Sequence, residues 1–141
     1  MNTRPQCRAR IRFSDCDPFG HLYNVRYFDY LFDAREEHVA AEYPLLREEI
    51  RSRERNWVTV STDIRYAAPA VWGETVTLES RVLEVTRNSA LVEMAMSGAP
   101  ELKAILWTRL RYVDLARRAV TNHSPEVQRF LQAIVSPAAA R

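Results

Sequence analysis

Glycine is scarce in this chain, at 3 of 141 residues, and no repetitive tract accompanies it. No stretch therefore reads as a flexible linker, and the length suits one domain spanning 1–141, with a core over about residues 5–134. Cysteine is equally sparse. Cys7 and Cys16 both fall in or just after the first candidate strand, which argues against a mutual disulfide. Without CxxC spacing they offer no metal or redox framework and read as reduced thiols. An excess of one charge is missing too: 20 basic and 18 acidic residues leave a net charge of +2. That excludes the basic footprint of a nucleic-acid binder. Lysine is almost absent, Lys103 being the only one. Arginine suits bidentate contacts to phosphate or carboxylate, so a local anionic ligand stays open. Long apolar runs are lacking, since none approaches the roughly 18 residues of a membrane span. The segment Met1-Asn2-Thr3-Arg4-Pro5-Gln6 has no apolar signal core, and a cytoplasmic protein with no membrane partner is expected.

What is present is a change of period along the chain. Residues 6–13 alternate, with Cys7, Ala9, Ile11 and Phe13 on one face and Arg8, Arg10 and Arg12 on the other, as in a half-buried strand. Pro18 and Gly20 break this pattern. From about Asn24 the apolar spacing becomes helical, with Tyr27, Leu31, Ala34 and His38 on one face. That helix should stop before Pro44. Residues 44–55 are expected to form a short helix or loop.

Four strands follow. Val58, Val60, Ile64 and Tyr66 carry the first, and Val76, Leu78 and Val82 the second. The turn Thr86-Arg87-Asn88-Ser89 leads into a strand over Ala90–Met96, and a long strand runs from Leu102 to about Val113. Ser124-Pro125-Glu126 reads as a helix start, with Ser as N-cap and Pro at the first position. Strands clustered after one long helix argue for an α+β fold with an antiparallel sheet. One sheet must bury one apolar helix, and curling around it is the simplest solution.

The stretch Ser14-Asp15-Cys16-Asp17-Pro18-Phe19-Gly20-His21-Leu22-Tyr23-Asn24 places two carboxylates and a histidine between a strand and a helix N-terminus. Free N–H groups and the positive end of the helix dipole gather there and can stabilise an oxyanion. A carboxylate beside them can act as general base or nucleophile. Asp17 can equally cap the turn. Asn24 can cap the helix through its side chain, and His21 can shape the loop by hydrogen-bonding the backbone. No ligand cluster completes a metal site from Asp15, Asp17 and His21.

The same stretch resembles the signature of hot-dog thioesterases of the 4-hydroxybenzoyl-CoA thioesterase type. Asp17, Gly20, Asn24 and Tyr27 stand in that family's spacing, and Tyr66-Ala67-Ala68-Pro69 resembles its second strand end. The resemblance implies an antiparallel sheet of about five strands curled around one long helix. It implies an acyl-CoA thioesterase with Asp17 as catalytic carboxylate, the Asn24 N–H as oxyanion donor and Gly20 permitting close approach of the thioester. His21 is a further candidate in the catalytic loop, and Asp15 a scaffold residue. Tyr27, Arg87, Asn88 and Ser89 are implied as substrate-binding, the last three toward CoA. No cofactor or metal is implied, and a homodimer or homotetramer is. Two other classes stay open: an acyl-CoA-binding module without hydrolysis, and a dehydratase using His21. An acyl-carrier-protein thioester is an alternative substrate, and the acyl group is unspecified.

Overall fold

The computed structural model describes residues 1–136; residues 137–141 of the expected domain lie outside the described residues. The elements run β1 (Gln6–Arg10), α1 (Arg26–Glu42), α2 (Pro44–Arg51), β2 (Arg55–Tyr66), β3 (Thr75–Val85), β4 (Ser89–Ser97), β5 (Leu102–Asp114), the two-residue β6 (Ala119–Val120) and α3 (Pro125–Ala133), with a 3-10 turn at Phe13–Asp15. The sheet order is β1-β3-β4-β5-β2, with β6 pairing the end of β5. Every ladder is antiparallel. This is the α+β arrangement expected, five long strands curled around α1.

α1 forms because its apolar residues recur on one face. Tyr27, Leu31, Ala34, His38 and Val39 are all buried. They meet the inward residues of β3 and β4, among them Val76, Leu78, Val82, Val92, Met94 and Met96. Strict alternation along β3 and β4 gives each strand one buried face, as the period of two requires. Pro44 does end α1, and it also starts α2, where its missing N–H costs nothing. α3 begins as expected: the Ser124 side chain accepts from the Val127 N–H at 3.2 Å.

Three local expectations are corrected. β1 stops at Arg10 and Phe13 is 71% exposed, because the segment paired with β1 turns at Gly73–Glu74, the last groups to bond Ile11, and a 3-10 turn follows at Phe13–Asp15. Val58 and Val60 are 42% and 51% exposed. Trp57 and Thr59 take the inward positions instead, and a bulge between Thr59 and Ser61 resets the register, so one residue is left out of the alternation. The helix N-cap is Val25, with no side-chain cap, so Asn24 does not cap α1. Among the described residues no helix is long and apolar enough to cross a membrane. Both cysteines are free, and burial beside Glu37 pushes the Cys7 thiol up to about 12.

Two histidines are buried in this fold. His38 Nδ1 faces the Ser80 hydroxyl at 2.7 Å, and among the described residues its Nε2 is buried without a hydrogen-bond partner. His123 Nε2 accepts from the Trp57 indole at 3.0 Å and its Nδ1 faces Gln128 at 2.7 Å. Burial lowers both pKa values, with Arg35 adding to the effect at His38, while Glu37 and Glu42 there and Glu49 at His123 oppose it. A base held neutral in the folded state takes up protons preferentially when unfolded. This stability contribution is therefore complete above the unfolded histidine pKa of about 6.5 and is lost as pH falls below it. Urea midpoints should drop between pH 7.5 and pH 5.5, roughly where ordinary carboxylates do not yet titrate. His38→Gln should flatten that slope. A slope unchanged by the substitution would remove His38 from the explanation.

Candidate functional site

The loop after β1 folds back on itself as a miniature hairpin. Cys16 bridges Leu22 in antiparallel fashion. The Asp17 N–H donates to the His21 carbonyl at 2.8 Å, and the Gly20 N–H to the Asp17 carbonyl at 2.9 Å. Gly20 has φ +76°, a left-handed conformation that costs any residue with a Cβ about 1–2 kcal/mol. An added Cβ would meet nothing within 4 Å, so the requirement for glycine there is conformational.

Asp17 Oδ1 accepts two backbone bonds, from the Phe19 N–H at 2.9 Å and the His21 N–H at 3.1 Å. Among the described residues, Oδ2 takes none. The carboxylate is thus oriented through one oxygen, with the other available, and it is partly exposed. His21 contributes through its backbone; its ring lies 6.4 Å from that of Phe19.

Residues 20–22 then pair with residues 70–72. The Leu22 N–H donates to the Ala70 carbonyl and the Trp72 N–H to the Gly20 carbonyl, each at 2.8 Å. The partner segment is itself anchored by Lys103, only 6% exposed. Its ammonium reaches the Pro69 carbonyl at 3.1 Å, Glu101 at 3.0 Å and Glu74 at 3.4 Å. Glu74 in turn accepts from the Val71 N–H at 2.8 Å. Sequence reading assigned Lys103 no role, although its being the single lysine among so many arginines is a signal of sorts. A compact ammonium with three donors serves three acceptors where a planar guanidinium would not.

Asp15 is engaged elsewhere. Its Oδ2 accepts from the Tyr30 hydroxyl at 2.6 Å, and that hydroxyl accepts from the Arg12 N–H at 3.0 Å. Burial and the Asp15 carboxylate raise the Tyr30 pKa. Asp15 also accepts from the Tyr23 N–H at 3.0 Å through its carbonyl. It therefore locks the loop to α1 through a side-chain bond to the helix, whereas the Asp17 side chain bonds only within its own loop.

Asn24 is exposed just before the helix. Its carbonyl accepts from the Tyr66 hydroxyl at 2.8 Å, while among the described residues no acceptor takes its N–H. That N–H belongs to the Tyr23–Asn24 peptide, whose carbonyl accepts from the Arg26 N–H at 2.8 Å, so its direction is fixed at the positive end of a 17-residue helix. Tyr27 is buried, 2% exposed. Its hydroxyl accepts from the Ala70 N–H at 3.0 Å, and its ring meets that of Tyr66 at 5.1 Å. Tyr27 is placed to brace the helix start against the 70–72 segment rather than to meet a ligand. Tyr27→Phe would leave the Ala70 N–H unpaired in the core, a loss of about 1–3 kcal/mol. Chemical denaturation of the pair of proteins checks this, and an unchanged midpoint would show that water replaces the hydroxyl.

The 87–89 turn is not brought to this loop. It joins β3 to β4, whereas the Asp17 loop packs where β2 ends and β3 begins. β4 spans nine residues between the two ends, on the order of 25 Å at about 3.3 Å per residue. Arg87 is exposed, and its carbonyl accepts from the His123 N–H. The Asn88 carbonyl accepts from the Tyr112 N–H. Ser89 is buried, with its hydroxyl 2.5 Å from that of Thr86. Only Arg87 of the three presents an exposed side chain.

Exposed aromatic residues ring the Asp17 loop. Phe19 is 85% exposed, and Phe13 packs edge-on against the exposed Trp72 at 5.3 Å. Tyr66 and Tyr23 complete the rim. Among the described residues no cluster of three or more His, Cys, Asp or Glu is arranged to hold a metal ion.

A curled antiparallel sheet around one helix, with an acidic loop at the helix N-terminus, is the hot-dog fold in its thioesterase form. A model of the thioesterase-like superfamily matches residues 11–131, and the chain belongs to that superfamily. Solved structures agree on the fold. A hypothetical protein from Thermus thermophilus superposes with a TM-score of 0.82 at 21% identity, covering 93% of this chain and 97% of that one. The 1,4-dihydroxy-2-naphthoyl-CoA thioesterase from Synechocystis gives 0.79 at 18% identity, covering 92% and 96%. The probable thioesterase YbaW from Escherichia coli gives 0.80 at 21% identity, covering 93% and 98%. A search of curated proteins found no match.

Proposed function

We propose that this chain hydrolyses an acyl-CoA thioester to a carboxylic acid and free CoA, with Asp17 as the reacting carboxylate. The observation that carries the reading is the division of labour within Asp17: Oδ1 is held by two backbone N–H groups, and Oδ2 is left for chemistry. Membership of the thioesterase-like superfamily supports the reaction class, and the CoA thioesterases among the structural neighbours support CoA as the carrier.

Two routes use this geometry. As general base, Oδ2 takes a proton from water as the water oxygen attacks the thioester carbon, and the tetrahedral adduct then collapses with cleavage of the C–S bond, the CoA thiolate leaving and taking up a proton. As nucleophile, Oδ2 attacks that carbon itself, the C–S bond breaks to release the CoA thiolate, and water then cleaves the anhydride. Both routes develop negative charge on the carbonyl oxygen. The Asn24 N–H at the start of α1 is the donor placed to meet it, and Gly20 keeps the loop free of side-chain bulk there. Asp17 and the Asn24 N–H are the catalytic groups; His21 positions Asp17 through its N–H, and Tyr27 positions the helix start.

Arg87 reaches this chemistry only from a second copy of the chain, so the reading includes a homodimer or a larger homo-oligomer. The Arg87 guanidinium then meets CoA phosphate at the partner's site, with Asn88 and Ser89 shaping the turn that carries it. A cytoplasmic setting, where acyl-CoA is available, fits the free cysteines. The test is thiol release from a panel of aromatic, short-chain and long-chain acyl-CoAs by the wild-type protein and by Asp17→Asn. Release from at least one substrate, lost in the variant, is expected; equal turnover by the two proteins would overturn the assignment.

A further inference from the structure

A second concavity lies away from the Asp17 loop, between α1, α2 and the inner face of the sheet. It has a volume of about 360 Å³, within the range of small-molecule sites. Its wall is mostly aliphatic, with Val39, Leu46, Val82, Val92, Met94 and Leu131 among its residues. Four charged residues also line it, the cations Arg35, Arg47 and Arg51 against the single acid Glu36.

Arg35 is the unusual member. It projects from the middle of α1 toward the sheet, where one of its N–H groups donates to Ser80 Oγ at 2.9 Å. Its guanidinium lies over the Tyr43 ring at 5.4 Å. Ser80 and Tyr43 are 2% and 1% exposed. Among the described residues no carboxylate comes within 4.0 Å of Arg35, although eight such ion pairs form elsewhere. A guanidinium carries five donors and remains charged at any ordinary pH; Arg35 is partly exposed, and a charge drawn in against a buried wall is normally paired. Ser80 cannot neutralise it. His38, on the other side of Ser80, adds no negative charge. Glu36, the next residue along the helix, is exposed and also lines the cavity, but makes no ion pair with Arg35. Arg47 contributes an unsatisfied donor: among the described residues its Nε is buried with no hydrogen bond, the Glu48 carboxylate standing 3.5 Å away. An apolar cavity that holds an unneutralised guanidinium selects for an apolar molecule ending in an anion. The planar fork of arginine matches a carboxylate in bidentate fashion.

We propose that this cavity is a binding site for an apolar monocarboxylate, its carboxylate on Arg35 and its hydrocarbon chain against the aliphatic wall. The site is separate from the Asp17 loop, none of whose residues line it. The proposal is independent of the thioester reading, because binding a free acid requires no hydrolysis. If that reading holds as well, the ligand belongs to the class of its product, and the acid would occupy the cavity after release.

Isothermal titration of the full chain with octanoate, octan-1-ol and octylammonium separates the contributions of chain and charge. Octanoate should bind saturably and about ten-fold or more tighter than octanol, with octylammonium weaker than either. Arg35→Met removes an unpaired charge and keeps the volume, a change that folded proteins tolerate. It should bring octanoate down to the affinity of octanol and leave octanol unchanged. Equal binding of octanoate and octanol by the wild-type protein overturns the proposal without recourse to any variant. So does the absence of saturable octanoate binding, and so does an octanoate preference that survives Arg35→Met. The Asp17→Asn protein should bind octanoate as the wild type does, which keeps failure here distinct from failure of the hydrolytic assignment.

Discussion

Asp17→Asn should lower kcat/KM on the best acyl-CoA by roughly 10²–10⁴-fold, the range for loss of a positioned general base, with little change in melting temperature. The physical case rests on which atom changes. Asparagine keeps an oxygen where Oδ1 accepts from Phe19 and His21, so the hairpin of residues 16–22 has what it needs to form. What disappears is the charge and basicity at Oδ2, which takes no hydrogen bond from the described residues. A substitution that spares the fold and removes the chemistry separates catalytic from structural roles. A large loss of melting temperature would return Asp17 to the structural role of a turn cap. Undiminished turnover would remove it from the mechanism. Heavy oxygen found in Asp17 after turnover in labelled water would assign the nucleophilic route, since only an aspartyl anhydride exposes that carboxyl carbon to water.

The second large effect is on stability. Leu31→Ala should cost about 2–5 kcal/mol, as large-to-small changes in a packed core do. That corresponds to a fall in melting temperature on the order of 10 °C for a chain of this size. Leu31 is 1% exposed and sits on the α1 face that meets β3 and β4. It belongs to the contact that holds α1, the longest helix among the described residues, inside the curl of the sheet. Thermal denaturation measures the effect. A shift below about 2 °C would mean that the neighbouring side chains collapse into the space. Below its lowered melting temperature the variant should retain thioester turnover, because Leu31 touches neither Asp17 nor Asn24 by any hydrogen bond.

Much of the architecture was legible in local pattern. The helical stripe of Tyr27, Leu31, Ala34 and His38 and the alternation of Val76, Leu78 and Val82 each follow from one element burying one face. Ser124-Pro125 announced α3 for the same kind of reason, since a cap is satisfied within a few residues. The misread elements depend on distant partners. Phe13 continues the alternation of β1, yet the segment that pairs with β1 turns at Gly73–Glu74, and the strand ends. Val58 and Val60 look like core residues until the Thr59/Ser61 bulge, set by pairing with β5, turns them outward.

The site divides along the same line. Asp17, Gly20 and Asn24 lie within eight consecutive residues, so their adjacency was legible, as was the need for a glycine in a tight turn. Local order did not reveal that Asp15 is tied to Tyr30, that Lys103 secures the segment pairing with residues 20–22, or that Tyr27 braces Ala70. Nor did it reveal that the 87–89 turn lies at the far end of the sheet in the same chain. Ser80 read as one more residue in a strand, and Arg35 as one more charge on a helix. The reason is physical. Periodicity and turn chemistry are set by neighbours a few residues apart, so the sequence by itself determined the elements and the acidic loop before α1. Which carboxylate of the loop is tied to the helix, and which guanidinium lines the inner cavity with no carboxylate beside it among the described residues, depend on groups brought together from distant parts of the chain, and only the tertiary structure decided them.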